Sequence, residues 1–153
     1  MTDDFKFLDP GELVDGDLQL VLAEKDCIPT RHHGVPFYRF EMRRAGDEVL
    51  MGGMALRIGH PETVLRYAGH LGFSVQPEYR GHRYAARSVR LLLPFARRHG
   101  LQFVWIGCAH DNAASRRTCE LAGATYYETV PVPDDTDLYQ QGIRFLCRYY
   151  IDL

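Results

Sequence analysis

The chain has 153 residues, 46% hydrophobic and 25% charged, with a formal net charge of −2: enough for one domain with a core, and no global positive field for nucleic acid. No apolar run approaches the ~20 residues that span a bilayer, and the four cysteines form no C-x-x-C pair. Met1-Thr2-Asp3-Asp4 is acidic without an apolar core, so a single cytoplasmic domain over 1–153, with reduced thiols and no membrane partner, is expected.

In chain order, 5–9 is a short stretch broken by Pro10-Gly11, and the alternation of 18–22 predicts a first strand. A connection over 27–34 holds Pro29 and the pair His32-His33. An aromatic alternating strand over 36–43 turns at Ala45-Gly46-Asp47 into a third strand over 48–58, a hairpin. Gly59-His60-Pro61 ends it, and 62–67 has room for one helical turn. Residues 69–75 read as a strand, and 81–99 as a helix with Ala85, Val89, Leu92, Leu93 and Ala96 at helical spacing. Gly100 stops this helix, and Pro94 is expected to kink it. The nearly all-apolar run 101–108 predicts a central strand buried on both faces. Asp111 or Asn112 caps a second helix to about 122, closed by Gly123. A strand over 124–130, a polar loop over 131–141 and an alternating strand over 143–151 complete the chain. The order, antiparallel strands first and β-α-β later, implies a mixed sheet with helices packed on it and a right-handed unit of parallel strands about Gly81.

The junction Tyr79-Arg80-Gly81-His82-Arg83-Tyr84-Ala85-Ala86 is the chemical centre of this reading. A helix start presents unpaired N–H groups and the positive end of the helix dipole. Gly81 admits a ligand to the backbone, and Arg80, His82 and Arg83 add donors or charge, which makes an anion site of the phosphate type. Other chemistries lack their patterns: no G-x-x-x-x-G-K, no G-x-G-x-x-G, no G-x-S-x-G elbow, and no recurring metal-ligand spacing around Cys27 and His32-His33.

The run from Leu71 through Pro77 to Ala85 resembles motif A of the GNAT superfamily of acyl-CoA-dependent N-acetyltransferases, a "G-[YF]-x-V-x-P" strand followed by an "R-G-x-G-x-A" loop. Asn112-Ala113-Ala114-Ser115, then Glu120 and Gly123, resembles motif B, in the form of the branch that modifies ribosomal-protein N-termini. The resemblance implies an α/β fold with a central mixed sheet and a V-shaped cleft. It also implies acetyl-CoA as acyl donor, and a primary amine, small molecule or peptide N-terminus, as acceptor. Carried over residue by residue, the amides of His82, Arg83, Tyr84, Ala85 and Ala86 would hold the coenzyme A phosphates, with Arg80 and Gly81 shaping the turn. The edge of Phe73, Ser74 and Val75 would pair with the pantetheine arm, one of its amides polarising the thioester carbonyl. Asn112 and Ser115 would contact the cofactor; both are also ordinary helix-start residues.

Three departures qualify the resemblance. Arg83 replaces the loop's second glycine; ordinary helical dihedrals there would tolerate its side chain. Cys119 stands where many members carry the tyrosine that protonates the leaving thiolate, so it is a candidate donor or a core residue. The segment 27–34 is short where a pair of helices usually lines the acceptor pocket. Proton-transfer candidates are His70, which leads, then His110, with Glu41, Glu62, His60, Tyr126 and Tyr127 behind. The final strand offers an edge for pairing with a second copy. A non-catalytic acyl-CoA-binding module is the alternative that the residues leave open.

Overall fold

In the computed structural model, which describes residues 5–153, the chain begins its sheet with a strand the sequence did not announce. Met1–Asp4, read above for its acidity, lies outside the described residues. Strand β1 (Leu13–Asp15) turns through Gly16-Asp17 into β2 (Leu18–Asp26), with Asp15 facing Leu18. Gly16 takes a positive φ of 59° there, which such a two-residue turn requires. β3 (Phe37–Arg44) and β4 (Leu50–Arg57) form the expected hairpin, and β5 (Leu71–Val75) adds to β4. Alternation sorts β3: Tyr38, Phe40 and Met42 are buried on one face, while Arg39, Glu41 and Arg43 lie on the other, with Phe37 buried at its start.

Helix α1 (Tyr84–Arg98) covers the buried face with Ala85, Val89, Leu92, Phe95 and Ala96, and Phe95 meets the rings of Tyr38 and Phe40. It starts three residues later than the apolar spacing suggested and runs through Pro94 as one helix. Its start is tied to the β1–β2 turn: the Tyr84 hydroxyl donates to Asp17 at 2.5 Å, and Arg87 pairs with Asp15 and Asp17. After α1 come β6 (Phe103–Ala109), α2 (Ala113–Leu121), β7 (Thr125–Pro131), a helical turn α3 (Asp137–Gln140) and β8 (Phe145–Asp152). The turn α3 lies in the stretch read as a plain polar loop; Thr136 caps it at the amide of Tyr139.

The strands divide into two sheets, β1-β2-β3-β4-β5 and β6-β8-β7, antiparallel throughout. The fold class is the expected α/β arrangement, but the expected parallel ladder between β5 and β6 is not formed. They meet at one bridge, Gly69 with Ile106, reinforced by the N–H of His70 donating to the carbonyl of Trp105 at 2.7 Å. Two glycines allow that approach: a Cβ at Gly69 would lie 2.6 Å from the carbonyl oxygen of Trp105, and one at Gly107 2.3 Å from that of Tyr67. Beyond the bridge a wedge opens.

β6 is therefore buried on one face only, and its apolar outer face is explained by Trp105, whose ring carries the guanidinium of Arg148 at 4.3 Å. Nor is the final strand an edge: β8 lies between β6 and β7, so the edges of this sheet are β7 and β6, the latter joined to the first sheet at one bridge. Among the described residues no helix is long and apolar enough to cross a membrane.

Candidate active site

The wedge is a cleft of about 500 Å³ between the end of β5, the start of α1 and the first turns of α2. Phe73, Ser74, Val75, Arg80, Gly81, Arg83, Tyr84, Ala85, Asn112 and Ser115 line it, so most residues singled out from sequence meet there. Tyr79, Ala114, Arg117, Thr118 and Leu121 complete the wall. Of these additions, only Tyr79 was singled out from sequence, as a flank of the loop.

Each wall offers bonds without partners. The N–H of Arg57 bonds to His70 O and that of Gln76 to Met51 O, which puts the even-numbered residues of β5 in the ladder with β4. The N–H groups of Phe73 and Val75 therefore face the open side, as an added strand would need. At the far wall, no protein hydrogen bond among the described residues takes the amides of 81–86. Gly81, at φ +93°, has nothing within 4 Å of where a Cβ would stand, so the backbone is open to a ligand. Arg83, at φ 62° and ψ 25°, is left-handed rather than helical, and its side chain caps nothing. The expectation of ordinary helical dihedrals is corrected here: this position has the backbone of a glycine and carries an arginine. Among the described residues the Arg83 side chain makes no hydrogen bond or ion pair, whereas Arg80 donates to Val75 O at 3.0 Å and Arg117 pairs with Glu120. Free amides, a helix N-terminus and an uncommitted guanidinium fit a phosphate-bearing ligand. His82 is exposed beside the loop, and Ala86 is buried just behind it. Asn112 accepts from the N–H of Ser115 at 3.1 Å, so its carbonyl serves the helix while its amide nitrogen stays available.

The three proton-transfer residues are not brought together. His70 is fully buried: its Nδ1 accepts from the N–H of Trp105 at 3.0 Å, which puts the ring proton on Nε2, 3.1 Å from Gly59 O. Burial pulls its pKa down to about 4. Cys119 is fully buried against the thiol of Cys108; that contact and burial push its pKa up, so it keeps its proton away from the cleft. His110 is exposed on the outer side of α2, in a shallower depression of about 410 Å³ shared with Asp111, Ala113, Arg116, Arg117 and Glu120. No histidine, cysteine or carboxylate lies among the residues lining the cleft. Of the further candidates, Glu41 faces the open side of the sheet across Gly53 from Ser74, with one oxygen held by Arg43.

A family model described as an acetyltransferase (GNAT) domain matches residues 18–125. The chain belongs to the GNAT acetyltransferase family, whose acyl donor is acetyl-CoA. Among solved structures it is similar to RimL, a ribosomal L7/L12 alpha-N-protein acetyltransferase in complex with coenzyme A: 14% identity, TM-score 0.68, 93% of this chain and 98% of that one. It is also similar to the microcin C7 self-immunity acetyltransferase MccE in complex with acetyl-CoA and AMP, at 13% identity and TM-score 0.59, covering 76% of this chain and 61% of that one. A third is the ribosomal-protein-S5-alanine acetyltransferase of Vibrio fischeri, at 16% identity and TM-score 0.61, covering 76% of this chain and 61% of that one. This chain thus spans less than two thirds of the length of the last two. No curated protein matches.

Proposed function

We propose that this protein transfers the acetyl group of acetyl-CoA to a primary amine by direct attack in a ternary complex. The observation that carries the reading is the cleft wall at 81–86, where unbonded amides and the Arg83 guanidinium converge on the start of α1. Acetyl-CoA bound there supplies an acyl group already activated as a thioester, so no nucleophilic side chain is needed. The amides of 82–86 hold the phosphates, and the free edge of Phe73 and Val75 aligns the pantetheine arm. The N–H of Phe73 donates to the carbonyl oxygen as negative charge develops on it. The acceptor amine approaches across the sheet face away from α1, where Gly53 and the exposed Ser74 leave room. Attack forms the amide and breaks the C–S bond, releasing the coenzyme A thiolate, which takes up a proton as the amine loses one. The cofactor cleft lining offers neither imidazole nor carboxylate, and on the acceptor's face the carboxylate of Glu41 stands across Gly53 from Ser74.

Calorimetric titration of wild type and Gly81→Glu with acetyl-CoA tests this. The carboxylate enters open space at the phosphate position, at a φ of +93° that strains any side chain. Micromolar wild-type binding should weaken about 100-fold or more, and Gly81→Ala, which carries the same strain without the charge, should weaken it less. Thioester consumption on adding amines separates turnover from binding alone. A wild type that gives neither heat nor thermal shift with acetyl-CoA sinks the reading.

A further inference from the structure

Arg57 ends β4, a strand otherwise without charge, on the sheet face away from α1. Its guanidinium lies over Gly72, one residue before the Phe73 amide: a Cβ at Gly72 would meet only Nη1 and Nη2 of Arg57, each at 3.6 Å. Nε donates to Nδ1 of His32 at 3.1 Å, and Nη1 donates to the carbonyls of Gly69 at 3.0 Å and Ala68 at 3.4 Å. Nη2 donates to no protein acceptor among the described residues, and no carboxylate there pairs with Arg57. The acids on the same face are already committed, Glu24 to Arg31 and Arg39, and Glu41 to Arg43.

A largely buried guanidinium without a counter-charge is costly, and burial is the one influence that displaces the pKa of Arg57, downward. The loop that braces it is itself strained. His32 and His33 take positive φ of 50° and 60°, conformations costing about 1–3 kcal/mol each. His32 packs on Phe37 at 4.0 Å and stays neutral, its pKa pulled down to about 4, so it accepts from Arg57 without adding repulsion. Strain and an uncompensated charge meet beside the strand that aligns the thioester.

We propose that Arg57 recognises the acceptor, its Nη2 binding a carboxylate oxygen carried next to the reacting amine, so that α-amino carboxylates are preferred to polyamines. This rests on the acetyl-transfer reading and names the class of amine taken on the face of β5 beside the cofactor cleft. His32 positions the guanidinium over Gly72, and the space above Gly53, where a Cβ would meet only the Phe40 carbonyl oxygen at 3.7 Å, admits the acceptor's body.

The test is the rate of thiol release at saturating acetyl-CoA with the free amino acids, their decarboxylated amines, and spermidine. At least one amino acid should exceed its decarboxylated partner in kcat/KM by tenfold or more, as expected for one charge-assisted hydrogen bond. Arg57→Gln should bring that ratio close to one through KM, with acetyl-CoA affinity unchanged. If the variant does not fold, the wild-type ratio decides alone, and His32→Asn, which tolerates the left-handed backbone, should lower it. Equal or faster turnover of amines lacking a carboxylate overturns the assignment and leaves the transferase reading standing. Failure of the wild type to bind acetyl-CoA overturns both.

Discussion

At position 70 a histidine is buried, neutral and bonded at both ring nitrogens, at the point where the two sheets touch. From sequence it led the candidates for base because an imidazole beside a cofactor strand suits neutral pH. Nothing in a single sequence reveals that its ring reaches across to the amide of Trp105 rather than into the cleft. For Cys119 the sequence left donor and core residue both open; helical spacing places it on α2 but does not tell which face meets Cys108, and its full burial there fits the core reading. Arg57 was hidden by the reverse effect, a lone charge inside an apolar strand that reads as its polar end. The stability of the protein should register His70 and His32 together. Both have folded-state pKa values of about 4, below the ~6.5 of an unfolded chain. Between those values the unfolded state binds more protons, so stability should be flat above pH ~6.5 and fall as pH drops toward 4, on the order of 2–3 kcal/mol for fully buried His70. Denaturation midpoints across pH 4–8 measure this. His70→Gln should lower the midpoint at pH 7 and flatten the acid slope while acetyl transfer persists; loss of transfer with the fold intact would return His70 to the chemistry.

At the scale of elements, the strand-turn-helix punctuation around Gly81 was legible, because apolar periodicity changes from two to 3.6 there. The true start of α1 was not, because it is set by backbone signs that residue types do not print. Positive φ at Gly81 and Arg83 holds the chain out of the helix until Tyr84, which keeps the amides before it unbonded. An arginine in that conformation costs roughly 1–2 kcal/mol, and glycine would give back about 0.5–1 through its unfolded-state freedom. Arg83→Gly should therefore stabilise the apo protein by about 0.5–1 kcal/mol and weaken acetyl-CoA binding several-fold by removing a free cation. Thermal melts and calorimetry on the one variant measure both. Weaker binding without added stability would mean that Arg83 is not strained; unchanged binding would remove it from the phosphate site.

For the molecule as a whole, element order was readable and strand pairing was not. Register partners of β6 and β8 lie some forty residues apart, and periodicity says which face is buried, never which neighbour covers an edge. The division into two sheets depends on Gly69 and Gly107, whose missing side chains let backbones close at the apex while one core cluster runs beneath both sheets. Gly107→Ala should cost about 2 kcal/mol or more, a fall of ~4–8 °C in melting midpoint, because the nearest atom is a carbonyl oxygen with little freedom to move. It should also weaken acetyl-CoA binding by splaying the wedge; a variant with wild-type melting and affinity would show that the apex yields freely. The junction also carries its own lamp. Trp105, the chain's single tryptophan, accepts from the His70 N–H and donates its own N–H to the His70 imidazole at the apex, while its indole lies under the Arg148 cation. Its near-ultraviolet emission therefore arises at the seam between the sheets, and any ligand that draws them together or apart changes an optical signal that needs no label.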